Sequence, residues 1–420
     1  IKEMKMKKRI SNNFKFKIIA FYMLGIMAFA FLSTPIHEIL NGIYKIIFST
    51  DLLITDYFEV GGLGASFLNS GLLGLLSLLL IKMIKTKING LSVAAIFTIA
   101  GFALFGKNLT NVIPIIIGVW SYSLYQKEKF NKYIIPALFG TALAPMVTQI
   151  AHTFDFSLFG ILLGSLIGIL MGFIIPPISS HVLVAHEGFN LYNVGFTAGI
   201  IGTITLSIFR SFNFDSQAHL LWSTKYTKII FIYLCFYFLS MIILGYILTR
   251  KNNISIKKLK NLWQKSGRAV TDFVIGDGFP LTLINMGIMG LLYTFLLIII
   301  KAPLNGPTVG GIFTIVGFSA FGKHPFNTGP VVIGVLLGAL TKGWALHDPA
   351  FILALLFSTT LAPIAGFFGN LSGIIAGFLH LSVVMNITYL HGGLNLYNNG
   401  FSGGLVATFL YPLLDGLKKE

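Results

Sequence analysis

The chain carries one long pattern twice, so whatever it folds into must be built from two copies of a single unit. Phe97, Gly101, Phe102, Phe105, Gly106, Lys107 and Pro114 return 216 residues later as Phe313, Gly317, Phe318, Phe321, Gly322, Lys323 and Pro330. The same shift carries Asp56 to Asp272, Asn69 to Asn285 and Asn89-Gly90 to Asn305-Gly306. Ala144-Pro145 recurs as Ala362-Pro363, a shift of 218. His186, Asn190, Tyr192, Asn193, Gly195 and Phe196 recur as His391, Asn395, Tyr397, Asn398, Gly400 and Phe401, a shift of 205. These offsets far exceed the periods of solenoid repeats. The drop from 218 to 205 makes the first copy 13 residues longer, near residues 148–159.

Composition decides the solvent of this duplicated unit. Hydrophobic residues make up 55% and charged residues only 10%, against roughly 25% charged in a soluble domain. Apolar runs at 18–36, 61–81, 158–178, 229–248 and 279–300 each approach the ~20 residues that cross ~30 Å of hydrocarbon. The first run continues past signal-peptide length without a small-residue cleavage site, and is expected to remain as a span. Cys235 is the only cysteine, so no intrachain disulfide forms. The expected fold is an all-α polytopic membrane protein in the bacterial cytoplasmic membrane.

Loop charges set the orientation of the copies. The net charge of +16 is concentrated near the ends of apolar runs, at Lys2, Lys5, Lys7, Lys8 and Arg9 and again across 250–268. This distribution follows the positive-inside rule and makes no case for nucleic acid. The segment after the first span holds Glu38, Asp51, Asp56 and Glu59 with Lys45, which reads as outside, whereas its counterpart at 250–268 is strongly basic. Lys82, Lys85 and Lys87 face only Lys301 in the second copy, and Lys127, Lys129 and Lys132 face Lys342 and Asp348. Opposite bias in three equivalent loops predicts two inverted-topology repeats with both termini cytoplasmic. The predicted organisation is a basic tail (1–16), repeat 1 (17–210), a linker (211–227), repeat 2 (228–415) and a short tail (416–420).

Within each repeat, the pieces flanking Phe105-Gly106-Lys107 and Phe321-Gly322-Lys323-His324 are too short for upright crossings. The expectation is a re-entrant hairpin or broken helix, because irregular backbone survives at depth only when shielded or lining a wet cavity. Lys107 and Lys323 at the tips would favour an anion, or else snorkel to the surface. Asn69 and Asn285 lie in otherwise apolar helices and need partners, either across helices or along a pathway. The pieces Asn190, Tyr192, Asn193 and Asn395, Tyr397, Asn398 describe a broken-helix start whose amides and free N–H groups could replace a solute's hydration shell. The opposing reading is an N-capped helix start with tyrosine in the interfacial belt. His186, Glu187 and His391 are the candidates for proton or ion coupling, although Glu187 has no acidic counterpart.

The stretch 64–75, with Phe67-Leu68-Asn69-Ser70-Gly71 and Gly74-Leu75, resembles the pore-helix pattern of urea transporters. Tyr192-Asn193 with Gly195, and Tyr397-Asn398 with Gly400, are similar to the Tyr-Asn-Gly helix start of that family. That resemblance implies a trimeric channel for a small neutral amide. Over nearly its whole length the chain is similar to an uncharacterised duplicated membrane-protein family of low-GC bacteria. Enzyme signatures are missing: His186-Glu187 lacks the second histidine of a zinc-protease helix, and no nucleophile elbow, phosphate loop or metal spacing occurs. The sequence therefore predicts a channel or transporter for a small polar solute, neutral amide or small anion, moving between the repeats. The alternatives are an ion-coupled secondary transporter and a non-transporting scaffold. The expected partners are that solute, the lipid bilayer and a dimer or trimer of the chain; no cofactor, metal or nucleic acid is expected.

Overall fold

The computed structural model describes residues 10–216 and 219–417. Lys2, Lys5, Lys7, Lys8, Arg9 and residues 418–420 lie outside the described residues. The first repeat runs α1 (Asn12–Ser33), α2 (Ile36–Ile47), α3 (Tyr57–Val60), α4 (Gly62–Met83), α5 (Gly90–Phe102), α6 (Leu109–Tyr125), α7 (Ile134–Gly140), α8 (Ala144–Thr153), α9 (Leu158–Ala185) and α10 (Asn193–Ser211). The second runs α11 (Thr227–Lys251), α12 (Lys258–Leu262), α13 (Phe279–Ile299), α14 (Gly306–Phe318), α15 (Pro325–Lys342), α16 (Pro349–Phe357), α17 (Ala362–Phe368), α18 (Asn370–Val384) and α19 (Asn398–Gly416). Extended pairing among the described residues is limited to one bridge, Thr55 to Leu221.

Eight helical stretches among the described residues are long and apolar enough to cross a membrane. The protein is a multi-pass membrane protein. α1, α9 and α11 leave most of their surface free of protein contact, whereas α7–α8 and α16–α17 are almost wholly enclosed. The enclosed pairs lie at the centre of the molecule, and α1, α9 and α11 turn their apolar surface outward.

Equivalent spans run in opposite directions. Along α1 and α11, Tyr22 stacks edge-on at 5.3 Å from Tyr237, and Phe29 lies 4.1 Å from Tyr233, so residue numbers rise in one helix as they fall in the other. α5 and α14 are antiparallel too, with Gly101 against Gly310 and Phe97 against Gly317. Contacts between the repeats recur with the partners exchanged. The Asp56 carboxylate accepts the Gly306 N–H at 3.2 Å, and Asp272 accepts the Gly90 N–H at 2.8 Å. The inverted repeat expected from loop charge is therefore present as a pseudo-twofold arrangement.

The short hairpins follow from their ends. Asn89 caps α5 in a capping box with Ser92, and Asn305 caps α14 in one with Thr308. Each helix has 13 residues, a rise of about 20 Å, too short for the ~30 Å core. Each ends at a glycine with positive φ, Gly106 (+92°) and Gly322 (+153°), where the chain reverses into α6 or α15. That reversal frees carbonyl groups deep in the protein. Asn69 on α4 donates to Ala103 O and Lys107 O at 2.7 Å each, and Asn285 on α13 donates to Ser319 O and Lys323 O at 2.8 and 2.9 Å. Two apolar helices thus carry one amide apiece because a reversed backbone at this depth must have its carbonyls satisfied.

Two elements depart from the expected pattern. α2 is a short helix where the sequence suggested only a loop. Asp51 and Asp56, counted among that loop's charges, are fully buried hydrogen-bond acceptors. They carry no weight in a count of solvated loop charge, whereas Glu59 does, paired at 3.1 Å with Lys225.

α9 places Gly160, Gly164, Gly168 and Gly172 on its buried face and Leu162, Leu166 and Leu170 on its exposed one. The small face allows backbone contact, as in other membrane bundles. A Cβ on Gly172 would sit 2.1 Å from Ile115 O, and its repeat equivalent Gly377 would place one 1.9 Å from Val331 O. Backbone cannot yield as a side-chain tip does. Gly172→Leu and Gly377→Leu are each expected to cost at least about 3 kcal/mol through overpacking. Loss of the monodisperse peak in detergent size-exclusion chromatography reads this out, and a normal peak would contradict the close crossing.

Candidate functional site

The two hairpins, the α7–α8 and α16–α17 pairs, and the starts of α10 and α19 enclose a cavity of about 370 Å³ on the pseudo-twofold axis. Its wall is made of equivalent residues from both repeats: Thr98 and Thr314, Phe102 and Phe318, Phe139 and Phe357, Leu191 and Leu396, Tyr192 and Tyr397, Gly195 and Gly400. The rings interlock. Phe102 lies 4.5 Å from Tyr397 and 5.4 Å from Phe357, while Phe318 lies 4.8 Å from Tyr192 and 5.6 Å from Phe139. Among the described residues, no carboxylate contributes to the wall.

The lysines stand directly behind this wall. Lys107 Nζ donates to Tyr397 OH at 2.5 Å and to Thr141 Oγ1 at 2.8 Å. Lys323 Nζ donates to Tyr192 OH at 2.5 Å and to Thr359 Oγ1 at 2.7 Å. Each nitrogen also sits over the ring of the tyrosine it holds, 4.4 and 4.3 Å from the centroid. Both side chains are completely buried. They neither snorkel nor touch the cavity directly; each fixes a cavity-lining tyrosine of the opposite repeat.

The remaining candidates divide between wall and frame. Asn190, Tyr192, Asn193, Phe321 and Tyr397 line the cavity, and so does Asn399, which the sequence reading passed over in favour of Asn398. Asn69, Asn285, Phe105, Asn395 and Asn398 stand outside the wall. His186 and His391 pair through Nε2 with Asn193 Oδ1 and Asn398 Oδ1 at 3.0 and 2.9 Å, steadying the helix starts. His324 Nε2 bonds Lys265 O at 2.8 Å. Glu187 is half exposed and forms an ion pair at 2.6 Å with Arg268.

Asp51 breaks the symmetry beside the first tip. Its carboxylate accepts from Asn108 and Asn111 at 2.9 Å each, from Ser49 at 2.6 Å and from the Tyr57 hydroxyl. The matching position is Gly267. There Asn327 instead donates to backbone, Gly322 O and Ser266 O. Sequence alignment of the copies shows the aspartate missing from the second, but not the cluster that surrounds the first.

Among the described residues, the exposed members of the cavity wall gather at one mouth. Leu91, Lys132, Ile135, Pro136, Ser180, Leu183 and Val270 line its mouth. None of their repeat counterparts lines it, and Pro307, Leu353 and Ala354 are buried. Val270 is 85% exposed, while its equivalent Ile54 is half-buried beneath the segment joining the repeats. Residues 219–221 lie across this side as a strap: His219 O accepts Ile54 N–H at 2.8 Å, and Leu221 N–H donates to Ile54 O at 2.9 Å. His219 Nε2 also meets Thr55 Oγ1 at 2.8 Å, and burial pushes its pKa down, so the neutral ring is the form that fits. The mouth residues Leu91 and Lys132 follow directly on the exposed loops that carry Lys82, Lys85, Lys127 and Lys129.

No curated protein and no solved structure matches the chain. Two stretches that fall one in each repeat, residues 36–211 and 251–416, match a single family, and the chain belongs to it: Protein of unknown function (DUF1576).

Proposed function

We propose that this protein moves a small solute across the membrane by alternating access between its two inverted repeats. The observation that carries the reading is the cavity on the pseudo-twofold axis, lined by equivalent residues of both repeats yet reachable from one face. In inverted-repeat transporters the solute site lies where the repeats meet, and exchange of their conformations opens the other side. Broken-helix starts at Asn193 and Asn398 bring free N–H groups to that depth. A permanently open channel would need a path on both faces, and the strap with Ile54, Leu353 and Ala354 occupies the second one. By the positive-inside rule the open, lysine-rich face is cytoplasmic.

A labelling experiment tests the reading. In a Cys235→Ser background, Val270→Cys is expected to react with a membrane-impermeant maleimide in inside-out vesicles and not in intact cells. Ile54→Cys should react only from the outside, and at least about ten-fold more slowly, since it is reached only when the minor, outward-open state forms. Equal reaction of both residues from the same side would overturn the inverted arrangement. Complete protection of Ile54→Cys under all conditions would remove alternation.

A further inference from the structure

We propose that the cavity binds a small organic anion with a flat apolar body, such as an aromatic monocarboxylate, and that Lys107 and Lys323 supply its selectivity for negative charge. This rests on the transport reading above and names its substrate class.

Four observations converge. The wall is aromatic: Phe102, Phe139, Phe318 and Phe357 with Tyr192 and Tyr397 leave a slot bordered by ring faces and edges. A sugar or an inorganic ion finds few polar partners there, whereas a flat hydrocarbon body fills it. Second, two lysines lie one ring behind opposite sides of the slot, and each nitrogen hydrogen-bonds to one tyrosine and one threonine hydroxyl. An ammonium buried without a carboxylate against it is costly, and an anion in the slot supplies the missing countercharge. Third, α10 and α19 both begin at the wall, through Asn193 and Gly195 of one repeat and Asn399 and Gly400 of the other. Their N-terminal N–H groups and dipoles favour negative charge. Fourth, the Thr98 hydroxyl, on the wall and 2% exposed, has no protein partner, while its equivalent Thr314 bonds back to Gly310 O at 2.8 Å. A donor held at the wall with nothing to donate to is suited to a ligand oxygen.

Cations are excluded by the same features. The ring faces alone could hold a quaternary ammonium, but each tyrosine ring already has a lysine nitrogen within 4.4 Å. The slot lacks the carboxylate that would offset a second positive charge.

The test is calorimetric titration of the full chain in detergent at neutral pH with three probes of matched shape and one without the body. Benzoate is expected to bind at least about ten-fold more tightly than benzamide. Benzyltrimethylammonium and acetate should give no saturable heat at the concentrations that saturate benzoate. In Lys107→Met/Lys323→Met, checked for a monodisperse peak, benzoate affinity should fall to the benzamide level while benzamide is unchanged. The wild-type ranking decides by itself if that variant does not fold. Benzamide equal to or tighter than benzoate, saturable binding of the ammonium probe, or no binding of benzoate would each overturn the proposal. Failure here with one-sided labelling of Val270→Cys and Ile54→Cys intact removes the substrate class and leaves transport standing. Benzoate binding together with full protection of Ile54→Cys would do the reverse.

Discussion

Replacing Asp56 with alanine is expected to destabilise the folded protein by about 3–5 kcal/mol, the largest loss from any single side chain joining the repeats. The carboxylate is fully buried and accepts three backbone N–H groups: Phe58 at 2.9 Å, Ser223 at 2.9 Å and Gly306 at 3.2 Å. These belong to α3, the strap and the first turn of α14, so one side chain ties three segments together. Alanine leaves all three donors buried and unpaired, and an unsatisfied buried donor costs about 1–3 kcal/mol. Asparagine offers a single oxygen and turns an NH₂ group toward N–H donors, so Asp56→Asn should recover less than half of the loss. Among the described residues, the equivalent Asp272 accepts from just Gly90 and Ile275 and is partly exposed, so Asp272→Ala should cost clearly less. Thermal unfolding of the three variants in one detergent gives the ranking. An Asp56→Ala midpoint within 2 °C of wild type, using about 2–4 °C per kcal/mol for larger domains, would show that the carboxylate does not bridge the repeats.

The ordering of these effects marks how far the sequence could be read. The duplication, the inversion and the re-entrant hairpins were legible because each leaves a local trace: constant offsets, loop lysines, and helices too short to cross. Pairings between the repeats leave none. Lys107 and Tyr397 lie 290 positions apart, and Lys323 and Tyr192 lie 131 apart. A lysine among apolar residues reads equally as pore-lining, snorkelling or buried until its partner is known. The two asparagines of α4 and α13 were ambiguous for the same reason. Their role depends on which helix lies against the carbonyl groups freed at Gly106 and Gly322, a pairing across 34 to 38 positions that no spacing rule reveals. α2 escaped notice because its apolar positions, Ile36, Ile39, Leu40, Ile43 and Ile47, follow helical spacing over only 12 residues, too few to stand out beside long spans. The one-sided mouth left no trace. Ser180 and Leu183, at the far end of α9, keep the constant shift of 205 to Met385 and Thr388, and only the fold shows that the first pair lines the mouth while the second does not.

The lysines should separate stability from function in opposite directions. Lys107→Met keeps the stem and the packing against Phe102 but removes a buried charge that hydrogen-bonds to Tyr397 OH and Thr141 Oγ1. Exchanging an uncompensated buried ion for an apolar side chain of similar volume is often neutral or stabilising, by about 1–4 kcal/mol. The loss is limited, because Thr141 Oγ1 still donates to Leu138 O at 2.6 Å and only the Tyr397 hydroxyl is orphaned. Lys107→Met and Lys323→Met are therefore expected to unfold at or above the wild-type midpoint, since each nitrogen has the same two kinds of partner, a tyrosine and a threonine hydroxyl. Tyr397→Phe acts the other way. It leaves the Lys107 nitrogen with one hydroxyl partner and should cost about 1–3 kcal/mol. Combining it with Lys107→Met should remove that cost, so the double variant is predicted to be more stable than Tyr397→Phe alone and than the sum of the two single effects. Binding should follow none of this: both lysine variants lose the preference of benzoate over benzamide while their stability rises. A charge that weakens the empty protein and strengthens the occupied one is what a selectivity element demands. Lys107→Met unfolding well below wild type, with the double variant lower still, would instead make the lysine a structural strut, and the preference for anions would need another source.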